Sequence, residues 1–354
     1  MSKHVVVIRG EDSSPEAVDP AVALMRGLGL PIEWSIAPVG VEAKETHGKA
    51  FPDEARALID ESDTTLFGAT SGASAGALFY LRWGKETFAN VRPVRWVNGM
   101  KSPLANPGSV DFVIVRENLE DLYLFAEGDL DGLDVLDLVS PTAGKKLHEM
   151  APGKFAIKAI TELGSERIAR FAFRLAQRRK ALGYPGKVSC GTKHNMLPQS
   201  DGLFRRVAQE VSNEFDEIEF ESFIVDDLAH RLVGDSGHFD VVLLPNLYGD
   251  ILSDAAAGLA GGLGLAPSGC YGESYAYFES AHGTAPDIAG KNIINPTATL
   301  LSGAMMLDHL GFEDAGTQLR AALERVYEEA KVLTPDQGGT ASTTEFCSAV
   351  ESEV

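Results

Sequence analysis

The stretch NLYGDILSD sets Asp250 and Asp254 four residues apart, just beyond the apolar run FDVVLLPN. In a helix beginning near Gly249, the two carboxylates stack on one side, close to an N-terminus whose dipole favours anions. Stacked like charges repel, so something positive is expected between them. Cations of a suitable kind stand elsewhere in the chain. Arg82 and Arg92 lie ten apart in LRWGKETFANVRPV, and Arg116 ends a strand in FVIVRENLEDLY, with Tyr123 shortly after. A guanidinium grips a carboxylate through two parallel hydrogen bonds, so three of them suit a di- or tricarboxylate. Taken singly, the same arginines read as surface ion-pair partners, the two aspartates as an ordinary helix N-terminal pair, and Lys193 of CGTKHNML as a solvated loop lysine. Spacing alone leaves both readings open.

Positioning these side chains falls to alternating strands and helices. Strands are predicted over Val5–Ile8, Ile32–Ile36, Thr65–Phe67, Asp111–Val115, Phe155–Ile160, Phe220–Val225 and Phe239–Leu244. Helices are predicted over Pro15–Leu28, Asp53–Glu61, Ser165–Leu182, Asp201–Phe215, Pro296–Gly311 and Glu313–Lys331. That alternation means an α/β protein, and 354 residues lead to an expectation of two domains. No GxGxxG follows the first strand and no GxxxxGKS occurs, so any nucleotide binds by another device. A net charge of −20 argues against nucleic acid and anionic membranes as partners, but not against a small anion in a locally basic pocket. MSKHVVVIRG has no signal-peptide pattern and AAAGLAGGLGLAP is too short to span a bilayer, so neither export nor membrane insertion is expected. Three cysteines without CxxC spacing suggest no disulfide framework or zinc site, and a cytoplasmic location fits.

Several long motifs resemble the β-decarboxylating dehydrogenases, the family of isocitrate, 3-isopropylmalate, homoisocitrate, tartrate and D-malate dehydrogenases. They are NLYGDILSDAAAGLAGGLGLAPS and ESAHGTAPDIAGKNIINPTATLLSGAMMLDHLG, with FANVRPV, VRENLEDLY, TKHNM followed by SDGLF, VDDLAHRLV and GGTAST. VRENLEDLY and IKAITELGSERIARFAF are most similar to the isocitrate dehydrogenase branch, whereas RPVRWVNGMKSPL and LGLAPS lean toward tartrate dehydrogenase. The resemblance implies a dimeric two-domain α/β fold without a Rossmann fingerprint: a larger cofactor domain from residues 1–90 and 260–354, and a smaller one, 91–259, that carries the dimer interface.

It also implies roles. Asp250 and Asp254, with Asp226 from a partner subunit, resemble the ligands of Mg²⁺ or Mn²⁺, for which hard oxygen donors are suited. The cation would chelate the C2 hydroxyl and adjacent carboxylate of the substrate, with Lys193 of the second chain assisting deprotonation and Tyr123 returning a proton after CO₂ is lost. Arg82, Arg92 and Arg116 would hold the malate carboxylates. In the nicotinamide segment, Gly283, Thr284 and Ala285 allow close backbone approach, His282 and Asn295 resemble adenosine contacts, and Glu279, Asp287 and Ile288 complete the cofactor set. NADP-dependent relatives carry lysine and tyrosine at the positions of Asp287 and Ile288, so NAD is expected.

Two segments depart from the family pattern. GEDSSPE, Gly10 to Glu16, replaces GDGIGPE and sets Asp12, Ser13 and Ser14 in the part of the turn that glycines normally shape, which puts backbone approach to the cofactor there in doubt. In GATSGASAGALFYLR, the serine and asparagine of isocitrate dehydrogenases fall on Gly76 and Leu78, and the glutamate of isopropylmalate dehydrogenases on Ala75. The hydroxyls of Thr70, Ser71 and Ser74 are expected to form an anion nest for the group on substrate C3. An alkyl group would leave these donors unpaired, at about 1–3 kcal/mol per buried group, so a second acidic group is expected, as in isocitrate or 3-(phosphonomethyl)malate. The alternatives are a tartrate, D-malate or isopropylmalate dehydrogenase and, from another class, a non-catalytic regulatory subunit, against which the intact set of site residues weighs.

Overall fold

Runs such as TTLF, KVSCGT and VVLL are buried along their whole length, as interior strands flanked on both faces require. In the computed structural model, which describes residues 2–354, they belong to one ten-stranded sheet. Its strands are β1 (Lys3–Ile8), β2 (Ile32–Ile36), β3 (Thr64–Phe67), β4 (Ala89–Arg95), β5 (Asp111–Glu117), β10 (Lys187–Thr192), β11 (Glu219–Ile224), β12 (Val241–Leu244), β13 (Pro267–Tyr271) and β14 (Ala276–Ser280). Four short strands, β6 (Glu127–Asp129), β7 (Val139–Ser140), β8 (Lys145–Lys146) and β9 (Lys154–Ala156), pair as β6–β9 and β7–β8 in a separate arm.

The order across the large sheet is β11-β10-β12-β5-β4-β13-β14-β3-β1-β2. Both wings are parallel, while β5, β4, β13 and β14 pair antiparallel in the middle. The wings therefore run in opposite directions, and the face of the central strands lies between their carboxyl ends. Helices α1 (Ser14–Gly27), α9 (Thr297–His309), α10 (Glu313–Glu329) and α11 (Thr343–Glu351) enclose one apolar cluster drawn from both chain ends, including Val5, Leu66, Phe278, Leu307 and Phe346. A second cluster, with Val115, Phe173, Val188 and Phe204, lies under α5 (Glu162–Ala181) and α6 (Ser200–Ser212). The remaining helices are α2 (Val41–His47), α3 (Asp53–Glu61), α4 (Ala75–Phe79), α7 (Val225–Gly234) and α8 (Asn246–Ala260).

Three expectations need correction. The strand expected over Phe155–Ile160 is the short β9, which pairs only within the arm. β4 was missed because Arg92, Pro93 and Arg95 interrupt its apolar pattern, although neighbours on both sides cover it. The helix expected from Gly249 starts at Asn246, so Asp250 lies beyond the first turn, where the dipole has faded.

Two turns meet where β1 and β3 end. Gly10 has φ +75°, and a Cβ on it would sit 2.3 Å from the Ala69 carbonyl oxygen, while one on Gly68 would sit 2.3 Å from the Arg9 carbonyl oxygen. Bare backbone is thus needed on both sides. Gly10→Ala is expected to destabilise the fold by about 2–4 kcal/mol, through overpacking and left-handed strain together, read as a lowered denaturation midpoint.

Candidate active site

Cross-strand register assembles a polar row on one face of the central strands. Arg116 of β5 lies opposite Asn90 of β4, Asn90 opposite Cys270 of β13, and Cys270 opposite Tyr277 of β14. Residues two apart share a face, so Arg92 and Glu279 join the row. Helix α8 packs over β4 and β5 here. It can do so only as glycine at Gly249, where a Cβ would come within 2.6 Å of Arg116 Cγ.

The positive groups between the aspartates are arginines. Arg116 donates through Nε and Nη2 to Asn246 Oδ1 at 3.0 and 2.7 Å, and through Nη1 to Asp250. Arg92 donates through Nη1 to Asp254 at 2.8 Å and to Ser253 Oγ at 2.7 Å, and through Nε to Asn90 at 3.1 Å, with Nη2 3.6 Å from Asp250. The Tyr123 hydroxyl donates to Asp250 Oδ2 at 2.5 Å, and its ring lies over Arg116. Asp121 fixes that tyrosine by accepting from Leu122 N at 2.9 Å in its own turn and from Leu247 N at 3.0 Å in α8. Arg82, on a single π-helical turn (Tyr80–Gly84), makes no ion pair among the described residues, and its Nε is buried without a partner.

The electrostatics follow from this packing. Burial pushes the Asp250 carboxyl up, but Arg116, Tyr123 and Arg92 together hold it below its ordinary value. Asp254 is raised by burial, which Arg92 offsets only partly and nearby Asp250 reinforces. Burial and then the neighbouring Arg92 bring Arg116 down to about 10, so it keeps its charge at neutral pH. Burial and then Asp250 raise the Tyr123 phenol, which stays protonated. Burial raises Glu279 despite three nearby arginines.

Other expected site residues lie apart from this cluster. Lys193, just past β10, pairs with Asp226 at the start of α7 and not with Asp250 or Asp254. In the nicotinamide segment, Ala285 is left-handed at φ +46° and leads into the turn Pro286–Ile288 that carries Asp287 and Ile288. Space is open around Gly283. Among the described residues the buried His282 Nε2 has no partner, and burial lowers its pKa, which favours the neutral ring. The Thr284 carbonyl accepts from Ser13 N at 3.2 Å and Ser13 Oγ at 2.5 Å. The Asn295 amide is engaged within the protein, accepting from Thr297 N at 3.0 Å and donating to Asp336 at 3.0 Å.

The hydroxyl loop does converge on an anion, and the anion is Glu11. Its Oε2 accepts from Thr70 Oγ1 at 2.7 Å, Ser71 N at 2.7 Å and Ser71 Oγ at 3.4 Å, while Oε1 accepts from Ser74 Oγ. This nest begins three residues beyond Phe67, which lies opposite Glu279 in the sheet.

A family profile described as isocitrate/isopropylmalate dehydrogenase matches residues 4–350. The chain belongs to that family. It is 40% identical over 351 residues to a 3-isopropylmalate/3-methylmalate dehydrogenase of Methanocaldococcus jannaschii, covering 99% of this chain and 98% of the other. It is also 40% identical over 357 residues to an isocitrate/homoisocitrate dehydrogenase of Thermus thermophilus, covering 99% and 98%. The crystal structure of isocitrate dehydrogenase from Methylococcus capsulatus superposes with a TM-score of 0.85 at 33% identity, covering 100% of this chain and 99% of that one. The protein is thus a β-decarboxylating dehydrogenase of the isocitrate/isopropylmalate type, with the family's α/β fold. Among the described residues, no helix is long and apolar enough to cross a membrane.

Sequence reading missed the residues that orient this family member's arginines. Asn90 stands two positions before Arg92 on one strand face, a spacing that would have pointed to it; Asn246 and Ser253 acquire their roles only when α8 docks. A mostly apolar cavity of about 280 Å³ lies on the opposite sheet face, lined by Val91, Pro93, Val113 and Met305. Its rim arginines are committed, Arg95 to Glu324, Arg179 to Asp240 and Arg320 to Asp308.

Glu117, next to Arg116, is buried, and burial pushes its carboxyl up to about 7 although it accepts from Leu119 N at 2.9 Å and Glu120 N at 2.8 Å. The folded pKa exceeds the ordinary 4.5, so the folded chain retains a proton that the unfolded chain releases. Stability from this group is full below the unfolded value and is lost as pH rises through about 7. Glu117→Gln should remove that dependence. In denaturation curves, the wild type should weaken relative to the variant by up to about 3 kcal/mol as pH rises from about 5 to 8.

Proposed function

We propose that the protein is a homodimer that oxidises and decarboxylates a 3-substituted malate bearing a second acidic group, isocitrate or a phosphonate such as 3-(phosphonomethyl)malate, using NAD and Mg²⁺ or Mn²⁺. The observation that carries this is the cluster in which Arg92 and Arg116 hold Asp250 and Asp254 beside Tyr123, with the Arg82 charge near enough to lower the pKa of Asp250. Arg82, free of ion pairs, receives one malate carboxylate, while Arg92 and Arg116 turn from the aspartates to the other. Tyr123, held protonated, keeps a proton on its hydroxyl for the carbon that loses CO₂. Thr70, Ser71 and Ser74 hold the carboxylate of Glu11, and donors of that kind support an acidic group at C3 provided Glu11 yields its place. We also read the two apolar clusters as the cores of two lobes, 1–90 with 260–354 and 91–259.

The donor set fits a hard cation. Asp250 and Asp254 offer carboxylate oxygens one helical turn apart, and Asp254 is half exposed with Arg92 as its partner. Among the described residues, no group of three His, Cys, Asp or Glu side chains completes such a site within one chain. Asp226 of a second chain would supply the third carboxylate and bring Lys193 with it to take the C2 hydroxyl proton. When bound, the cation supplies Lewis-acid polarisation of the C2 hydroxyl. Exposed apolar side chains favour such pairing: Ile251 lies beside Asp250 on α8, and Val135, Leu136, Leu138 and Val139 crowd the arm. For NAD, the support is that among the described residues His282 Nε2 has no partner and Asp287 no ion pair; the Asp287 carboxylate would accept from ribose hydroxyls and repel a 2′-phosphate.

Excess EDTA should abolish turnover, and Asp250→Asn should reduce it by roughly 10²-fold or more. Mixing inactive Lys193→Ala and Asp250→Asn chains should restore about a quarter of wild-type activity, because half the dimers then hold one intact shared site. Full activity in EDTA, or no recovery on mixing, would overturn the cation or the shared-site assignment respectively.

A substrate panel tests the rest. With NAD and Mg²⁺, kcat/KM should be highest for isocitrate or 3-(phosphonomethyl)malate, ahead of isopropylmalate, tartrate and D-malate, and lower with NADP. Highest activity on isopropylmalate would refute the acidic reading. Turnover of none of them would point to a regulatory subunit.

A further inference from the structure

We propose that Glu11 is a specificity-determining residue: its carboxylate is an exchangeable occupant of the Thr70–Ser71–Ser74 nest and competes with the acidic C3 group of the substrate. This rests on the reading that the nest faces substrate C3. Glu11 is buried and, among the described residues, its carboxylate has no cation partner; the hydrogen bonds that hold it come from hydroxyls and a backbone amide of the loop. A carboxylate or phosphonate arriving at C3 can take those donors in kind, so exchange breaks no ion pair.

Room exists for the displaced side chain. Glu11 and Ser71 both line a cavity of about 580 Å³ that extends past Pro38 and His47. The backbone of Glu11 stays fixed, since its N–H donates to Ala69 O at 2.9 Å, so only the side chain has to swing. While Glu11 occupies the nest, a second anion meets like charge. An alkyl group meets no such penalty, because the donors are already satisfied by Glu11. Glu11 thereby sets how strongly the enzyme discriminates between acidic and alkyl malates, and keeps the buried Ser74 hydroxyl paired when no substrate is present.

Glu11→Gln keeps the side-chain shape and removes the charge. The ratio of kcat/KM for isocitrate or 3-(phosphonomethyl)malate over that for isopropylmalate should rise by about tenfold or more, chiefly through a lower KM. Glu11→Ala, if it folds with a similar Tm, should raise the same ratio and make inorganic phosphate a better competitive inhibitor of the acidic substrates. An equal change on all substrates in Glu11→Gln would reduce Glu11 to a structural tie and overturn the proposal. The outcome for the proposed function is separate: a wild type that prefers isopropylmalate refutes the acidic reading, whereas a gain of acidic substrates in Glu11→Gln still upholds the competition.

Discussion

Arg116 is almost wholly buried, and a guanidinium removed from water persists only if its donors are met. Asn246 takes two of them and Asp250 another, both from α8, so the helix must dock against the end of β5. That docking requires glycine at Gly249. Once it is made, much else follows. Asp254 arrives one turn later beside Arg92, Ser253 takes a second Arg92 donor, and the Leu247 amide meets Asp121, which orients the turn holding Tyr123. A single buried cation thus organises the acidic, basic and proton-holding groups of the site. Replacing it would free Asp250 and also remove the reason for α8 to sit where it does.

The same pairing makes the resting site electrically closed. Asp250 and Asp254 need cations, and Arg92 and Arg116 provide them; the arginines need anions, and the aspartates provide those. A carboxylate substrate and a divalent cation arriving together offer each side a replacement of the same sign, whereas either alone leaves a buried charge uncompensated. On the reading above, binding is therefore an exchange of partners, and the cost of stripping a buried ion pair is offset within the same event. Glu11 in its nest follows the same logic with neutral donors. Arg82 is the exception, a guanidinium without an ion pair among the described residues, and on the same reading it is the group left to receive a carboxylate.

Much of this was legible in the chain. The i, i+4 aspartates and their need for nearby positive charge are local features; in the structure Arg92 and Arg116 stand beside them, and Arg82 pairs with neither. What was not legible depends on register between distant strands. Asn90 meets Arg92 along one strand, but Cys270, Tyr277 and Glu279 join the row only because β13 and β14 insert beside β4, and their glycine-rich approach hid both strands. The anion nest was readable from its hydroxyls, and its occupant was not. Glu11 lies 60 positions from Ser71, and no local pattern ties them.

The departure at GEDSSPE acquires a physical meaning from these contacts. Asp12 holds φ +53°, the left-handed region that suits the glycine it replaces and that aspartate tolerates better than most residues, so the turn keeps its shape. Ser14 donates to the Arg9 carbonyl at 3.0 Å, closing the turn on itself. The surrounding side chains then reach outward in two directions. Glu11 engages the loop at Thr70–Ser74, while Ser13 donates to the Thr284 carbonyl and Glu16 accepts from the amides of Gly290 and Asn292. One seven-residue turn is thus bonded both to the segment proposed to meet substrate C3 and to the segment proposed to hold NAD. Because its backbone is pinned on both sides, the turn keeps its place while the Glu11 side chain is free to move. Substrate charge and cofactor positioning are mechanically adjacent here, through hydrogen bonds that the serines and glutamates of this turn supply.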